Sequence, residues 1–348
     1  MINPYADKNL HFFSYNQPFQ LESGEALPAF QLGYSTLGTL NEAQDNVVWI
    51  CHALTANTDV ADWWAGVVGK GCLFDTDRYF VVCANMLGSC YGSTNALSIN
   101  PITEKPYFHT FPTLTNRDMV RAFDLLREHL GIERIAWTCG GSMGGQHIIE
   151  WNILRPEVFE NIFLIATNAQ HSPWGIAFNE AQRMAIQADS SWQTDSPHAG
   201  RQGLGAARAM ALLSYRNYAV YQRTQAESSA EMLDNFKAIS YQRYQAEKLQ
   251  KRFHAFSYWT LSKAMDSQNV GRGRESIEKA LASIQANAHI VGISSDILFP
   301  PSEQRLLAQY IPKAAYYEID SDLGHDGFLV EVGKIQTILR PVVSMTVQ

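Results

Sequence analysis

The chain has 348 residues, 46% of them hydrophobic and 18% charged, with a formal net charge of -7 at pH 7. This is the balance of a globular protein with a large core, and the length calls for one large domain with an insertion, or for two domains. The negative charge argues against nucleic acid or an anionic membrane as the main partner, while leaving room for a local basic patch that meets an anionic cosubstrate.

From about Phe12 to Leu40 polar and apolar residues alternate, with turn signals at Ser23-Gly24 and Gly33, which predicts antiparallel strands opening a sheet. Val47 to Cys51, Tyr79 to Ala84, Ile135 to Thr138 and Ile162 to Ala166 are short continuous apolar runs, the pattern of strands buried on both faces. Between the second and third of these, Met119, Val120, Phe123, Leu126 and Leu130 recur at helical spacing within Arg117 to Leu130. Strands alternating with helices predict an α/β fold: a doubly wound, mostly parallel sheet covered on both sides.

That rhythm stops after Asn168. The stretch from about Trp174 to Ile284 is rich in helix formers and nearly free of strand candidates, with helices expected near Asn179–Ala188, Leu204–Arg223, Ala246–Met265 and Glu275–Ile284. It reads as an all-helical lid inserted between sheet strands, dividing the chain into a core segment 1–172, a lid 173–286 and a second core segment 287–348. Strand patterns return at His289 to Ile293 and Tyr316 to Ile319, and a last helix is expected over Phe328–Leu339.

The five cysteines (Cys51, Cys72, Cys83, Cys90 and Cys139) are scattered, with no C-x-x-C pair, so neither a disulfide framework nor a zinc site is expected. The opening MINPYADKNLHFF lacks the basic start and apolar stretch of a signal peptide, and no apolar run approaches the ~20 residues that span a bilayer. A cytoplasmic enzyme is the expectation.

The chemistry centres on Cys139-Gly140-Gly141-Ser142-Met143-Gly144-Gly145, where Gly140, Ser142 and Gly144 fit G-x-S-x-G between a predicted strand and a predicted helix. In that setting the serine sits on a sharp turn with the positive end of the helix behind it, a nucleophile elbow for acyl transfer. A glycine-rich turn could match this pattern by chance. A nucleophilic serine needs a base and a group that orients the base, in the chain order serine, acid, histidine. Asp296, at the end of one late strand, and His325, after the last strand, fill those places, and loops at the carboxyl ends of parallel strands converge on one crevice. The oxyanion hole requires two backbone amides, for which Met143 and Leu54 are the candidates. His52 and His147 are expected to be structural.

Taken together, GGSMGG, CHALTAN (Cys51 to Asn57), NMLGSCYGST (Asn85 to Thr94), EAQRMAI (Glu180 to Ile186), AMDSQNVGRGR (Ala264 to Arg274), SSDILFPPSE (Ser294 to Glu303) and GHDGFL (Gly324 to Leu329) resemble the homoserine O-acetyltransferase family over nearly the whole chain. The resemblance implies an α/β-hydrolase-fold homodimer of methionine biosynthesis, with a helical lid and no metal or resident cofactor. It further implies acetyl-CoA and L-homoserine as substrates in a ping-pong reaction. Ser142 is then the nucleophile, His325 the base and acid, and Asp296 the orienter. Arg183 is implied for the amino acid carboxylate and Asp326 for its amino group, a cation and anion that suit a zwitterion. Many members read GSTGPSSINP where this chain has Gly92-Ser93-Thr94-Asn95-Ala96-Leu97-Ser98-Ile99-Asn100-Pro101. Succinyl transfer, a serine acceptor, and an esterase or deacetylase with the same triad are the alternatives. Leu54-Thr55, with no arginine in that stretch to hold a second carboxylate, favours acetyl.

Overall fold

The computed structural model describes residue 7 and residues 9–344. Eight strands form one sheet: β1 (His11–Tyr15), β2 (Phe30–Leu37), β3 (Val47–Ile50), β4 (Phe80–Ala84), β5 (Ile135–Gly141), β6 (Phe159–Ile165), β7 (Asn287–Ile293) and β8 (Ala314–Ile319). Their order is β1-β2-β4-β3-β5-β6-β7-β8, antiparallel through β1, β2 and β4 and parallel from β4 onward. The reversal at β3 and β4 leaves a crevice at the carboxyl ends of the central strands, where such sheets carry ligands.

Every residue of β3 and β5 is buried, as continuous apolar runs require when both faces are covered. The strand period of two sorts side chains between the faces. Trp49 joins Phe123 and Trp151 in one core, while Val48 and Ile50 join Trp64, Trp137 and Phe163 in the other. Helix α1 (Asn116–His129) packs Met119, Val120, Phe123 and Leu126 into the first core. It starts at a reciprocal cap in which the Asp118 amide donates to Thr115 Oγ1 at 3.3 Å and the Thr115 amide to Asp118 Oδ2 at 3.0 Å. It ends where Gly131 turns left-handed at φ +69°.

Helix α2 (Met143–Leu154) follows β5 directly. Between β6 and β7 the segment carries α3 (Pro173–Gln187), α4 (Arg201–Tyr215), α5 (Tyr218–Gln225), α6 (Lys237–Arg252), α7 (Ala255–Asp266) and α8 (Ile277–Ala282). Two helices expected as continuous are each broken. The chain interrupts itself at Arg216-Asn217, where Asn217 Oδ1 accepts from the Val220 amide at 3.0 Å and starts α5. It does so again at Phe253-His254, where His254 Nδ1 accepts from the Ser257 amide at 3.0 Å and starts α7. After α9 (Pro301–Tyr310) and β8, the last helix is also two pieces, α10 (Gly327–Val330) and α11 (Val332–Val343), with Glu331 at ψ 42° between them. Among the described residues no helix is long and apolar enough to cross a membrane.

Candidate active site

Ser142 stands between β5 and α2 with φ +56° and ψ -130°, a conformation that costs a non-glycine residue roughly 1–3 kcal/mol and persists only where the surroundings impose it. Those surroundings are visible. The Ser142 amide donates to the carbonyls of Ile165 and Ala166, each at 3.1 Å, and Thr167 Oγ1 donates to the Ser142 carbonyl at 2.8 Å. Ala166 is itself left-handed, at φ +48°. Gly144 explains the glycine pattern. A Cβ there would lie 2.0 Å from the Cys51 carbonyl oxygen, so only glycine lets the start of α2 close on the Cys51–Leu54 loop. The Ser142 hydroxyl caps nothing on α2 and is nearly buried, at 6% exposure.

Asp296 and His325 come together. His325 Nδ1 lies 2.7 Å from Asp296 Oδ2, and Asp296 Oδ1 accepts from the amides of Leu298 at 2.8 Å and Phe299 at 2.9 Å. An ionised carboxylate only accepts, so Nδ1 carries the proton and Nε2 presents its lone pair. The imidazole is held flat against Phe299, with centroids 5.0 Å apart, and flanked by Phe328 at 5.2 Å and Tyr215 at 5.7 Å. Phe328 also packs on the elbow, because a Cβ on Gly141 would meet its ring at 2.7 Å. That ring joins the two halves of the site. Gly324, at φ +65°, lets the Tyr215 and Arg216 backbone of α4 close over the histidine, where a Cβ would sit 2.9 Å from the Tyr215 carbonyl.

Of the two amides read as an oxyanion hole, Met143 is the first residue of α2, so its N–H has no partner within the helix. Leu54 lies in the turn closed by the Ala56 amide donating to the Ala53 carbonyl at 3.0 Å, on the loop that Gly144 abuts. The two histidines expected to be structural are both buried. His52 Nδ1 engages the Ala53 carbonyl at 2.9 Å, and burial pushes its pKa down to about 4. Burial takes His147 to about 3, with its ring edge-on to Phe123.

Arg183 and Asp326 are placed differently from each other. Arg183 is 4% exposed and fully engaged: Nε donates to Glu180 Oε2 at 2.9 Å, Nη1 to Ser262 Oγ at 3.2 Å and Nη2 to Asp266 Oδ2 at 2.5 Å. His171 has its ring 5.6 Å from Phe299, and burial, with smaller effects from the Arg183 and His325 charges, pushes its pKa down to about 4. Asp326 does not cap α10. Its Oδ2 accepts from Arg216 Nε at 3.0 Å. Sequence reasoning missed Arg208, whose guanidinium sits 5.6 Å over the Tyr215 ring that flanks His325. Among the described residues Arg208 makes no ion pair and no hydrogen bond. Asn95, in the departing stretch, folds onto its own loop: Nδ2 donates to the Ser89 and Ser93 carbonyls, and Oδ1 accepts from the Leu97 amide.

A strained serine at a strand-to-helix turn and a carboxylate-paired histidine on this strand order define the alpha/beta hydrolase fold, and the sequence signature of that fold matches residues 46–332. The solved homoserine O-acetyltransferase of Bacillus anthracis superposes with a TM-score of 0.85 at 24% identity, covering 98% of each chain. The acetyl esterase MekB superposes with a TM-score of 0.83 at 22% identity, covering 97% of this chain and 96% of that one. At those identities shape establishes the fold and does not separate transferase from esterase. Sequence does. The homoserine O-acetyltransferase of Cyclobacterium marinum is 48% identical over 328 residues, 94% of this chain and 93% of that protein. The chain belongs to the homoserine O-acetyltransferase family.

Proposed function

We propose that the protein moves an acetyl group from acetyl-CoA to the side-chain hydroxyl of L-homoserine, through an acetyl-enzyme on Ser142. His325 Nε2 takes the Ser142 proton as Oγ attacks the thioester carbonyl, and the amides of Leu54 and Met143 receive the oxyanion. Collapse breaks the C–S bond, and the proton on His325 leaves with the CoA thiol. The homoserine hydroxyl then gives its proton to His325 and attacks the acetyl-serine, and Ser142 recovers that proton as it departs. Asp296 keeps the imidazole in the required tautomer throughout.

The observation that carries this reading is Arg208, which among the described residues has no carboxylate partner and lies over the Tyr215 ring that flanks His325, with Asp326, held by Arg216, next to His325 in the chain. Water needs neither; a zwitterionic amino acid needs both. We therefore assign the homoserine carboxylate to Arg208 and its ammonium to Asp326, in place of the Arg183 that the family resemblance implied. The segment 173–286 serves as a lid that keeps water from the acetyl-enzyme. Large apolar side chains exposed on it, such as Leu213 at 55% and Tyr218 at 78%, support a homodimer joined through the lid. Free thiols at all five cysteines suit a cytoplasmic enzyme.

The test is thiol release from acetyl-CoA by the purified protein, with and without L-homoserine. One thiol per chain is released alone, and turnover appears only on adding homoserine. Sustained release with no amino acid present makes the protein an esterase. Arg208→Ala raises the homoserine KM at least ~30-fold, about 2 kcal/mol of charge-assisted hydrogen bonding, and leaves the first thiol burst intact.

A further inference from the structure

An open groove of about 1060 Å³ lies where the helical segment meets the Cys90–Ile99 stretch, and neither Ser142 nor His325 lines it. Its lining includes Arg201, Lys251 and Arg252 and no aspartate or glutamate, although the chain holds 34 acidic residues against 27 basic ones. Among the described residues Arg201 and Lys251 pair with no carboxylate. Apolar side chains are also open there, with Phe12 at 40% and Ile99 at 58% exposure. One of its lining residues, Arg252, reaches the loop that carries Leu54. The Arg252 guanidinium donates to the Thr55 carbonyl, one residue beyond Leu54, and to the Tyr91 hydroxyl. Gln250 Nε2 donates to the Arg201 carbonyl at 2.7 Å, tying the two cation-bearing walls together.

We infer that this groove binds the phosphorylated nucleotide end of the acyl-CoA cosubstrate, with Arg201 and Lys251 on its phosphates and Phe12 and Ile99 beside its base. The acyl arm runs inward along Arg252 toward the Leu54 loop. The assignment rests on the acyl-CoA reading above. Guanidinium and ammonium groups suit phosphate oxygens, and a groove without carboxylates in an acidic protein concentrates a polyanion at one place on the surface.

The double variant Arg201→Glu/Lys251→Glu tests it, since both side chains are exposed and neither touches the triad. Titration calorimetry with adenosine 3′,5′-bisphosphate measures the nucleotide alone, and kinetics compare acetyl-CoA with S-acetyl-N-acetylcysteamine, a thioester that lacks the nucleotide. Nucleotide binding weakens at least ~10-fold and the acetyl-CoA KM rises by a similar factor, while the KM values for the short thioester and for homoserine stay within about twofold. The wild-type acetyl-CoA KM also rises with salt. Equal nucleotide binding by both proteins, no nucleotide binding by the wild type, or an equal rise for the short thioester overturns the inference. Normal transfer with an unchanged acetyl-CoA KM in the variant rejects the groove alone. A wild type that transfers nothing from acetyl-CoA rejects the proposed function, and this assignment with it.

Discussion

Replacing Asp296 by asparagine changes one atom, and the structure dictates which way the new amide must face. Oδ1 accepts two backbone N–H groups, from Leu298 and Phe299, and Oδ2 faces His325 Nδ1. Turning the new NH2 toward the two amides would set donor against donor twice in a buried loop, at about 1–3 kcal/mol for each unsatisfied group. The oxygen therefore keeps the amides and the NH2 points at His325. Nδ1 must then accept, which places the imidazole proton on Nε2, where the Ser142 proton would have to go. The fold survives, because all three hydrogen bonds have a neutral counterpart. Acylation falls by about 10⁴, or about 5.5 kcal/mol of transition-state stabilisation. Stopped-flow measurement of the first thiol released from acetyl-CoA reads that step directly, and a thermal melt within a few degrees of wild type shows that the loss is chemical. A variant that keeps more than about a tenth of the acylation rate would mean that the Asp296–His325 contact does not set the tautomer, and the triad assignment would be withdrawn.

Gly144→Ala places a Cβ 2.0 Å from the Cys51 carbonyl oxygen, a clash of backbone with side-chain root that no rotamer relieves. The start of α2 and the Leu54 loop must separate by about 1 Å, so acylation drops roughly 10²-fold, and near-normal single-turnover rates would refute the oxyanion assignment. Arg183→Ala leaves the half-buried Asp266 carboxyl, whose pKa burial already raises against the pull of Asn179 and Arg183, with Asn179 but no cation beside it. A stability loss of about 3 kcal/mol in urea unfolding is expected, and a rise in homoserine KM matching that of Arg208→Ala would return the carboxylate to Arg183. Burial, with the nearby Asp296 charge, lifts the Glu303 carboxyl to about 7 against the opposing Asn168 hydrogen bond. The folded value lies above the unfolded one, so this contribution is whole below about pH 4.5 and is lost as pH rises through about 7, a change of roughly 3 kcal/mol. Glu303→Gln flattens the stability profile over that window, and chemical denaturation at pH 5 and pH 8 checks it.

What could be read in advance divides along a physical line. β3 and β5 announce themselves because a strand covered on both faces has no room for polar residues, and the elbow does so because Gly144 must meet a carbonyl at bare backbone distance. The order of Ser142, Asp296 and His325 follows from strand order, which is fixed along the chain. The breaks at Arg216-Asn217 and Phe253-His254 were not legible. Helix formers continue on both sides, and the interruption rests on a single capping side chain, in one case a histidine, a residue seldom read as a cap. Which arginine stays unpaired was hidden for a different reason. Arg183 and Arg208 both look like helix charges, on α3 and α4. They differ in that Asp266, 83 residues along the chain, folds back onto one guanidinium and not the other. A sequence shows where the cations are but not which carboxylates reach them. That pairing decides which guanidinium is left open to another anion.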